Sequence, residues 1–400
     1  MMGPTPKGRP LDIEPLLSRI NEERLLELQL RFAQTPAPTF AETPRAELIV
    51  ALWRESGLHP QIDAAGNVIA ARPGKREAPL LAVSAHLDTV FDAAQDIRVR
   101  MPGEHCDFCD ALVPEAEYHG PGIGDCAAGL AAVTGVVEAL QASGAETESP
   151  LLFVATVGEE AAGDLRGARA LFAGEWGGRI GAFVTVDVGV TGAIVHETTS
   201  TRRFRVTFRG PGGHSWDDYG TYSPIHAAAE AVSRIIAVEP PAEPRTTLNV
   251  GVIEGGRSVN AIPESASFEL DMRSVDSAEL ERLAARAREA IEAAHRHVEG
   301  RTRGEGSYSI DVFSERPGGR IPGEAPLVQA AIGALREEGI EPRFGPGSLD
   351  ANIPMSLGIP AIGFPWGGSS RRNHSIRESY RSRGRVATVR ALARLAVTWG

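Results

Sequence analysis

Residues 80–88 read Leu-Leu-Ala-Val-Ser-Ala-His-Leu-Asp, a nearly continuous apolar run that stops on a histidine and an aspartate. Such a run, with almost no polar alternation, is the pattern of a strand covered on both faces, as in the sheet of an α/β domain. The same texture recurs outward from it at Asn67–Ala71, Leu151–Val157, Ala182–Val186 and Ala361–Phe364. Helical spacing of apolar residues predicts helices over about 12–34, Ala46–Ser56, Cys126–Ala142, Pro326–Glu338 and Arg385–Thr398. The expected fold class is therefore α/β.

Three of these buried runs end in polar residues. Leu80–Ala85 leads into His86-Leu87-Asp88, Leu151–Val157 into Gly158-Glu159-Glu160, and Ala182–Val186 into Asp187. In open α/β sheets the carboxyl ends of the strands line the ligand crevice, so groups far apart in sequence converge there. The turn Gly120-Pro121-Gly122-Ile123-Gly124-Asp125 enters the Ala-rich helix, and Asn373-His374 comes after the Ala361–Phe364 run. Taken singly, His-x-Asp is a common surface pair, Glu159-Glu160 an ordinary solvated turn and Asp125 a natural helix N-cap. Taken together, two imidazoles and several carboxylates at the strand ends of one sheet suit zinc or a similar divalent ion.

Near residue 200 the texture changes. Arg203–Phe208 alternates, a helix is predicted over Ile225–Val238, strands over Thr247–Ile253 and Ala266–Met272, a charged helix over Ala278–Val298 and a strand over Tyr308–Phe313. The order β-α-β-β-α-β is that of a small ferredoxin-like domain with helices on one face. It divides the chain into residues 1–198 and 315–400 of the α/β domain and an insertion at 199–314.

Composition narrows the function classes. The 400 residues are 42% apolar and 23% charged, and 52 acidic against 41 basic side chains leave a net charge of −11 with no basic block. Nucleic acid is excluded as a partner on that basis, as is a membrane span, because nowhere do about 18 apolar residues run together. Met1–Arg9 has no apolar core ahead of a cleavage site, and three cysteines cannot form a disulfide framework, so a cytoplasmic protein is expected.

In their order, His86-Leu87-Asp88, Gly122-Ile123-Gly124-Asp125, Gly158-Glu159-Glu160, Asp187 and His374 resemble the co-catalytic dizinc peptidases related to peptidase T, glutamate carboxypeptidase, aminoacylase and succinyl-diaminopimelate desuccinylase. Arg209-Gly210-Pro211-Gly212-Gly213-His214-Ser215 and Ser258-Val259-Asn260-Ala261-Ile262-Pro263 resemble that family's two lid motifs, so the likeness runs from about residue 30 to the end. The resemblance implies a zinc-peptidase-like catalytic domain with an inserted lid and dimerisation domain. It implies two Zn²⁺ per subunit, with Co²⁺ or Mn²⁺ as substitutes. Asp125 bridges them, His86 and Asp187 complete one ion, and Glu160 and His374 complete the other. Two dications are then balanced by three carboxylates and one bridging hydroxide, both histidines being neutral. Glu159 becomes the general base, Asp88 fixes the His86 ring, and His214 becomes the oxyanion donor, acting in a second copy of a homodimer.

On the substrate side, Asp rather than Glu at 187 implies an aminopeptidase or dipeptidase acting on small peptides, the alternatives being an N-acyl-amino-acid deacylase and a non-catalytic member that binds a peptide or amino acid. Arg316 either binds the substrate carboxylate or is a surface arginine, and Asn260 either binds the substrate backbone or caps a turn. Two features depart from the family: Ala127 stands where it usually has a lysine, and Arg98–His119, with Cys106-Asp107-Phe108-Cys109, has no counterpart in it. Cys-x-x-Cys can bind metal or switch redox state, but only His105 or His119 is at hand to join it, and a surface insertion is the plainer reading. Cys126 is expected to pack as a small apolar side chain, His226 to pack, and His295 and His297 to be solvated.

Overall fold

The computed structural model describes residues 13–400, so the Met1–Arg9 segment lies outside the described residues. In chain order, the elements that position the site are α1 (Glu22–Ala33), α2 (Thr43–Glu55), β1 (Val68–Arg72), β2 (Leu80–His86), α3 (Ala127–Ser143), β3 (Leu151–Thr156), β4 (Ile180–Val188) and β5 (Ala193–Thr198). They continue with β6 (Ser200–Arg209), α4 (Pro224–Ile236), β7 (Thr246–Gly255), β8 (Ser265–Ser274), α5 (Ser277–Glu299), β9 (Ser307–Arg316), α6 (Pro326–Glu337), β10 (Ala361–Pro365) and α7 (Arg385–Thr398). The helix expected over 12–34 is interrupted. A single turn at Glu14–Leu17 ends at Ser18, and α1 restarts behind Asn21, whose side chain accepts the Arg24 N–H at 2.9 Å and so caps a new helix.

Residues 13–196, 321–345 and 359–400 form one compact unit. Its sheet runs β1-β3-β2-β4-β10-β5. The central pairs β3/β2, β2/β4 and β4/β10 are parallel, while β1 and β5 join antiparallel at the flanks. Every residue of β2 and β3 is buried, as their unbroken apolar runs require, and α3, nearly all Ala, Val, Leu and Gly, packs into the same core. Gly129 lets α3 lie this close: a Cβ there would stand 2.2 Å from the Val186 carbonyl oxygen of β4.

The second unit comprises residues 197–320 with 346–358. Its sheet order is β7-β8-β6-β9, antiparallel throughout, with the elements following one another as β-α-β-β-α-β. Alternation along β6 and β8 buries Phe204, Val206, Phe208, Phe268 and Leu270 against Ala231 and Ile235 of α4 and Leu283 and Ile291 of α5. The opposite face carries cross-strand ion pairs, Arg203 with Asp271 and Arg205 with Glu269, each at 2.7 Å. The unit reaches beyond the expected 199–314 boundaries for a backbone reason. β9 runs on to Glu315 and Arg316, which pair with Arg202 and Thr201 of β6, and the Asn352 side-chain amide donates to the carbonyls of Thr199 and Pro317, tying 346–358 to the start of β6.

Candidate metal centre

Three neighbouring strands, β3, β2 and β4, carry their polar residues to one edge of the first unit. His86 is the last residue of β2, opposite Thr156 of β3, and it is 1% exposed. Its Nδ1 lies 3.1 Å from the main-chain oxygen of Asp88, which accepts a hydrogen bond from that nitrogen and so aims Nε2 at the carboxylates. Nε2 is 3.0 Å from Asp125 Oδ1 and 3.6 Å from Asp187 Oδ1. The other oxygen of Asp125, Oδ2, is 3.3 Å from Nε2 of His374, which is in turn 3.0 Å from Glu160 Oε1. Glu159 is buried beside them, its donor atom within 4.8 Å of those of His86 and Glu160.

The five residues expected as ligands are thus brought together, and their spacing can be compared with what an ion requires. With metal–ligand bonds of about 2.0–2.1 Å, the edges of a tetrahedron are about 3.3 Å. The distances from His86 Nε2 (3.0 and 3.6 Å) and from His374 Nε2 (3.3 and 3.0 Å) lie around that value, in two groups that share only the Asp125 carboxylate. The electrostatics agree. Burial, joined by Asp125 and Glu160, pushes Asp187 up to about 7 against the pull of His86. Hydrogen bonds to Asp125 and Glu160 push His374 up to about 11. Burial opposes a charge on His86, yet Asp187 and Asp125 hold it well above the imidazole range. The carboxylates gather more negative charge than buried protein tolerates unless cations enter, and in the metal-free chain the two imidazoles supply them.

Asp88 Oδ1 is 3.4 Å from His86 Nδ1, and the same side chain also holds a turn. Its carboxylate accepts the Glu159 N–H at 2.9 Å, the Glu160 N–H at 3.0 Å and the Thr39 hydroxyl at 2.9 Å, so it holds the turn that presents Glu159 and Glu160, while its carbonyl orients His86. Glu378, which no sequence motif marks, is the other anchor. It accepts the N–H groups of Gly122, Gly124 and Asp125 at 2.9, 2.8 and 3.1 Å and so fixes the loop that carries Asp125. Burial and the nearby Asp125 push it up to about 8. Arg45, wholly buried, donates to the carbonyls of Leu87 and Thr35 and ties the end of β2 to the segment before α2. Only the backbone groups that these side chains satisfy reveal their roles.

In the second unit, His214 and Asn260 lie together and exposed, His214 pairing with Ala261 in a two-residue ladder and the Asn260 carbonyl accepting the Ser215 N–H. Arg316 is not a surface arginine: it is 7% exposed and donates to Ser348 at 3.2 Å. Cys126 and Ala127 are fully buried at the start of α3, and burial pushes the Cys126 thiol up to about 12, in keeping with an apolar packing role. His226, expected to pack, is exposed because it points away from the buried stripe of α4. His295, expected to be solvated, lies 3.0 Å from the Tyr222 hydroxyl.

Among the described residues no helix is long and apolar enough to cross a membrane. The sequence profile of peptidase family M20/M25/M40 matches residues 82–398. A Bacillus subtilis protein, YqjE, described as uncharacterized, is 25% identical over 86% of this chain and 90% of its own. The solved structure of a Staphylococcus aureus tripeptidase superposes with a TM-score of 0.76 at 21% identity, covering 94% of this chain and 98% of that one. Bacillus subtilis YxeP, described as a dinuclear metal-binding peptidase of this family, does so with a TM-score of 0.66 at 18% identity, covering 94% and 97%.

Proposed function

Because the chain belongs to peptidase family M20/M25/M40 and is a hydrolase of that kind, we propose that it is a two-metal aminopeptidase or dipeptidase acting on small peptides. The observation that carries the reading is Asp125, with one oxygen directed at His86 and the other at His374. His86 and Asp187 would hold one ion, Glu160 and His374 the other, with Asp125 shared; the mixed imidazole and carboxylate set suits zinc, with cobalt or manganese as substitutes. When bound, the two ions supply polarisation of the scissile carbonyl and a lowered pKa for water.

Glu159 is the group we assign to take the water's proton and return it to the leaving amine. Burial and the Asp88 carboxylate on its main-chain N–H fix its place. Asp88 is a positioning residue for this turn and for the His86 ring. His214 as oxyanion donor, Asn260 and Arg316 as substrate contacts, and a homodimer formed through a ferredoxin-like lid complete the reading. The roles of His214 and Asn260 and the dimer rest on the resemblance of the Arg209–Ser215 and Ser258–Pro263 motifs, and that of Arg316 on its place just after the inserted domain. Asp at 187 favours peptides over N-acyl amino acids.

The test is a small panel on metal-loaded protein: dipeptides, Ala-Ala-Ala and N-acetyl amino acids. Cleavage of the peptides alone is expected, with a Glu159→Gln loss of about 10²–10⁴ in kcat. Full activity in Glu159→Gln would remove the assigned base. Cleavage of N-acetyl amino acids alone would make the protein a deacylase, and no hydrolysis at all would leave a binding protein.

A further inference from the structure

The segment from Arg98 to His119 carries a small cluster of its own. His105-Cys106 pairs with Ala111-Leu112 as a tight hairpin, inside which the Cys109 N–H donates to the Cys106 carbonyl at 3.0 Å. The turn sets both sulfurs on the same side as His119, and donor atoms of Cys106, Cys109 and His119 all lie within 4.8 Å of one another. Cys106 is buried, Cys109 half-buried, and the His119 side chain 12% exposed. Cys109 Sγ is 3.6 Å from His119 Nδ1. A tetrahedral ion with bonds of about 2.3 Å to sulfur and about 2.0–2.1 Å to nitrogen sets those two atoms about 3.6 Å apart.

A second observation points to a ligand independently of the cysteines. The other nitrogen of His119, Nε2, is 3.0 Å from Glu117 Oε2, and Glu117 is itself gripped by Arg381. A carboxylate on the far nitrogen of an imidazole fixes its tautomer and turns the near lone pair outward, the arrangement found behind metal-bound histidines. Here the lone pair faces sulfur. The strand bearing His119 is also held on both sides, by main-chain bonds with Arg100 on one edge and pairing with Ser379–Arg381 on the other. His105, exposed and set against Asp107 and Asp110, stands outside the group.

We propose that Cys106, Cys109 and His119 form a third metal site, separate from the dinuclear centre, taking one soft divalent ion such as zinc through two sulfurs and His119 Nδ1. Three protein donors leave the fourth position to solvent or a small ligand. The site ties the hairpin to the strand at Glu117–His119, which runs into the loop that carries Asp125. Binding expels the two thiol protons and leaves Glu117 holding the proton side of the ring.

The test uses full-length protein, reduced and stripped of metal, titrated with Co²⁺. Near-ultraviolet thiolate-to-cobalt absorption saturating at one ion per chain is expected, in addition to the visible bands of the oxygen and nitrogen sites. Glu117→Gln should weaken that ion about 10–100-fold and spare the rest. The Cys106→Ser/Cys109→Ser variant should lose the absorption and one ion while keeping the others. Wild-type protein that binds two ions without the absorption overturns the third site and leaves the dinuclear centre standing. One ion with the absorption supports the site and removes the dinuclear reading. Reduced protein that binds no thiolate-held ion but loses two hydrogens in air, by mass, overturns the site in favour of a disulfide. The wild-type spectrum alone decides, so a variant that fails to fold does not block the test.

Discussion

Gly129→Ala separates helix propensity from packing at the metal centre. In an isolated helix the change gains about 1 kcal/mol, because glycine loses more backbone freedom on folding than alanine. In α3 the new Cβ would lie 2.2 Å from the Val186 carbonyl oxygen, 2.4 Å from Cys126 Sγ and 3.3 Å from the Ala85 side chain. Two of these atoms must retreat by about 1 Å, and one is main chain of β4, a residue before Asp187. Overpacking of this kind costs about 1–3 kcal/mol where side chains can yield. With main chain as the obstacle the upper end applies, which leaves a net loss of about 2 kcal/mol after the propensity gain. For a unit of this size that is a fall of roughly 4–8 °C in Tm. Gly333→Ala in α6 is the control, since its Cβ meets nothing within 4 Å and the change should raise Tm. Scanning calorimetry of the metal-free proteins reads both, and ion affinity should fall for Gly129→Ala alone, because Asp125 and Asp187 flank the clash. A Gly129→Ala protein as stable as Gly333→Ala would refute the claim that this glycine sets the distance between α3 and β4.

Other perturbations test the anchors, the protons and the second unit separately. Glu378→Ala strands three N–H groups of the Gly122–Asp125 loop, two of them buried, and should weaken ion binding about 10–100-fold by chelator competition, with unchanged affinity counting against Glu378 as the anchor of that loop. His374 stands at about 11 against an ordinary 6.5, so its proton stabilises the metal-free cluster fully below about pH 6.5 and that contribution fades as pH rises toward 11. An entering ion must displace this proton and that on His86, so apparent affinity should rise up to about 100-fold per pH unit between pH 6 and 8; a flat profile would show the imidazoles already neutral. Asp276→Ala removes the side chain that accepts the Glu279 N–H at the start of α5 and should cost the second unit about 1 kcal/mol by denaturant unfolding, with no effect on ion binding.

Much of the candidate site was open to reading because the residues proposed as ligands sit where buried strands stop. His86, Glu160 and Asp187 each lie at the end of an apolar run, and in a parallel sheet the ends of adjacent strands are neighbours. The supports were not legible. Glu378 and Arg45 act on main-chain atoms, and a side chain bound to a backbone N–H or C=O leaves no pattern of residue types to find. Asp88 is visible in the sequence beside His86, but its carboxylate also accepts the Glu159 and Glu160 amides, which no spacing rule announces.

By itself the sequence determined the alternation of buried strands and helices, the split β-α-β-β-α-β pattern and the residues able to bind a divalent ion, because hydrophobic periodicity and donor chemistry are local properties. Only tertiary structure decided which oxygen of Asp125 faces which imidazole, that residues 346–358 join the second unit, and that His119 rather than His105 lies within reach of the two cysteines. Those are distances between segments far apart in the chain, and they are set by packing and main-chain hydrogen bonds rather than by any run of residues.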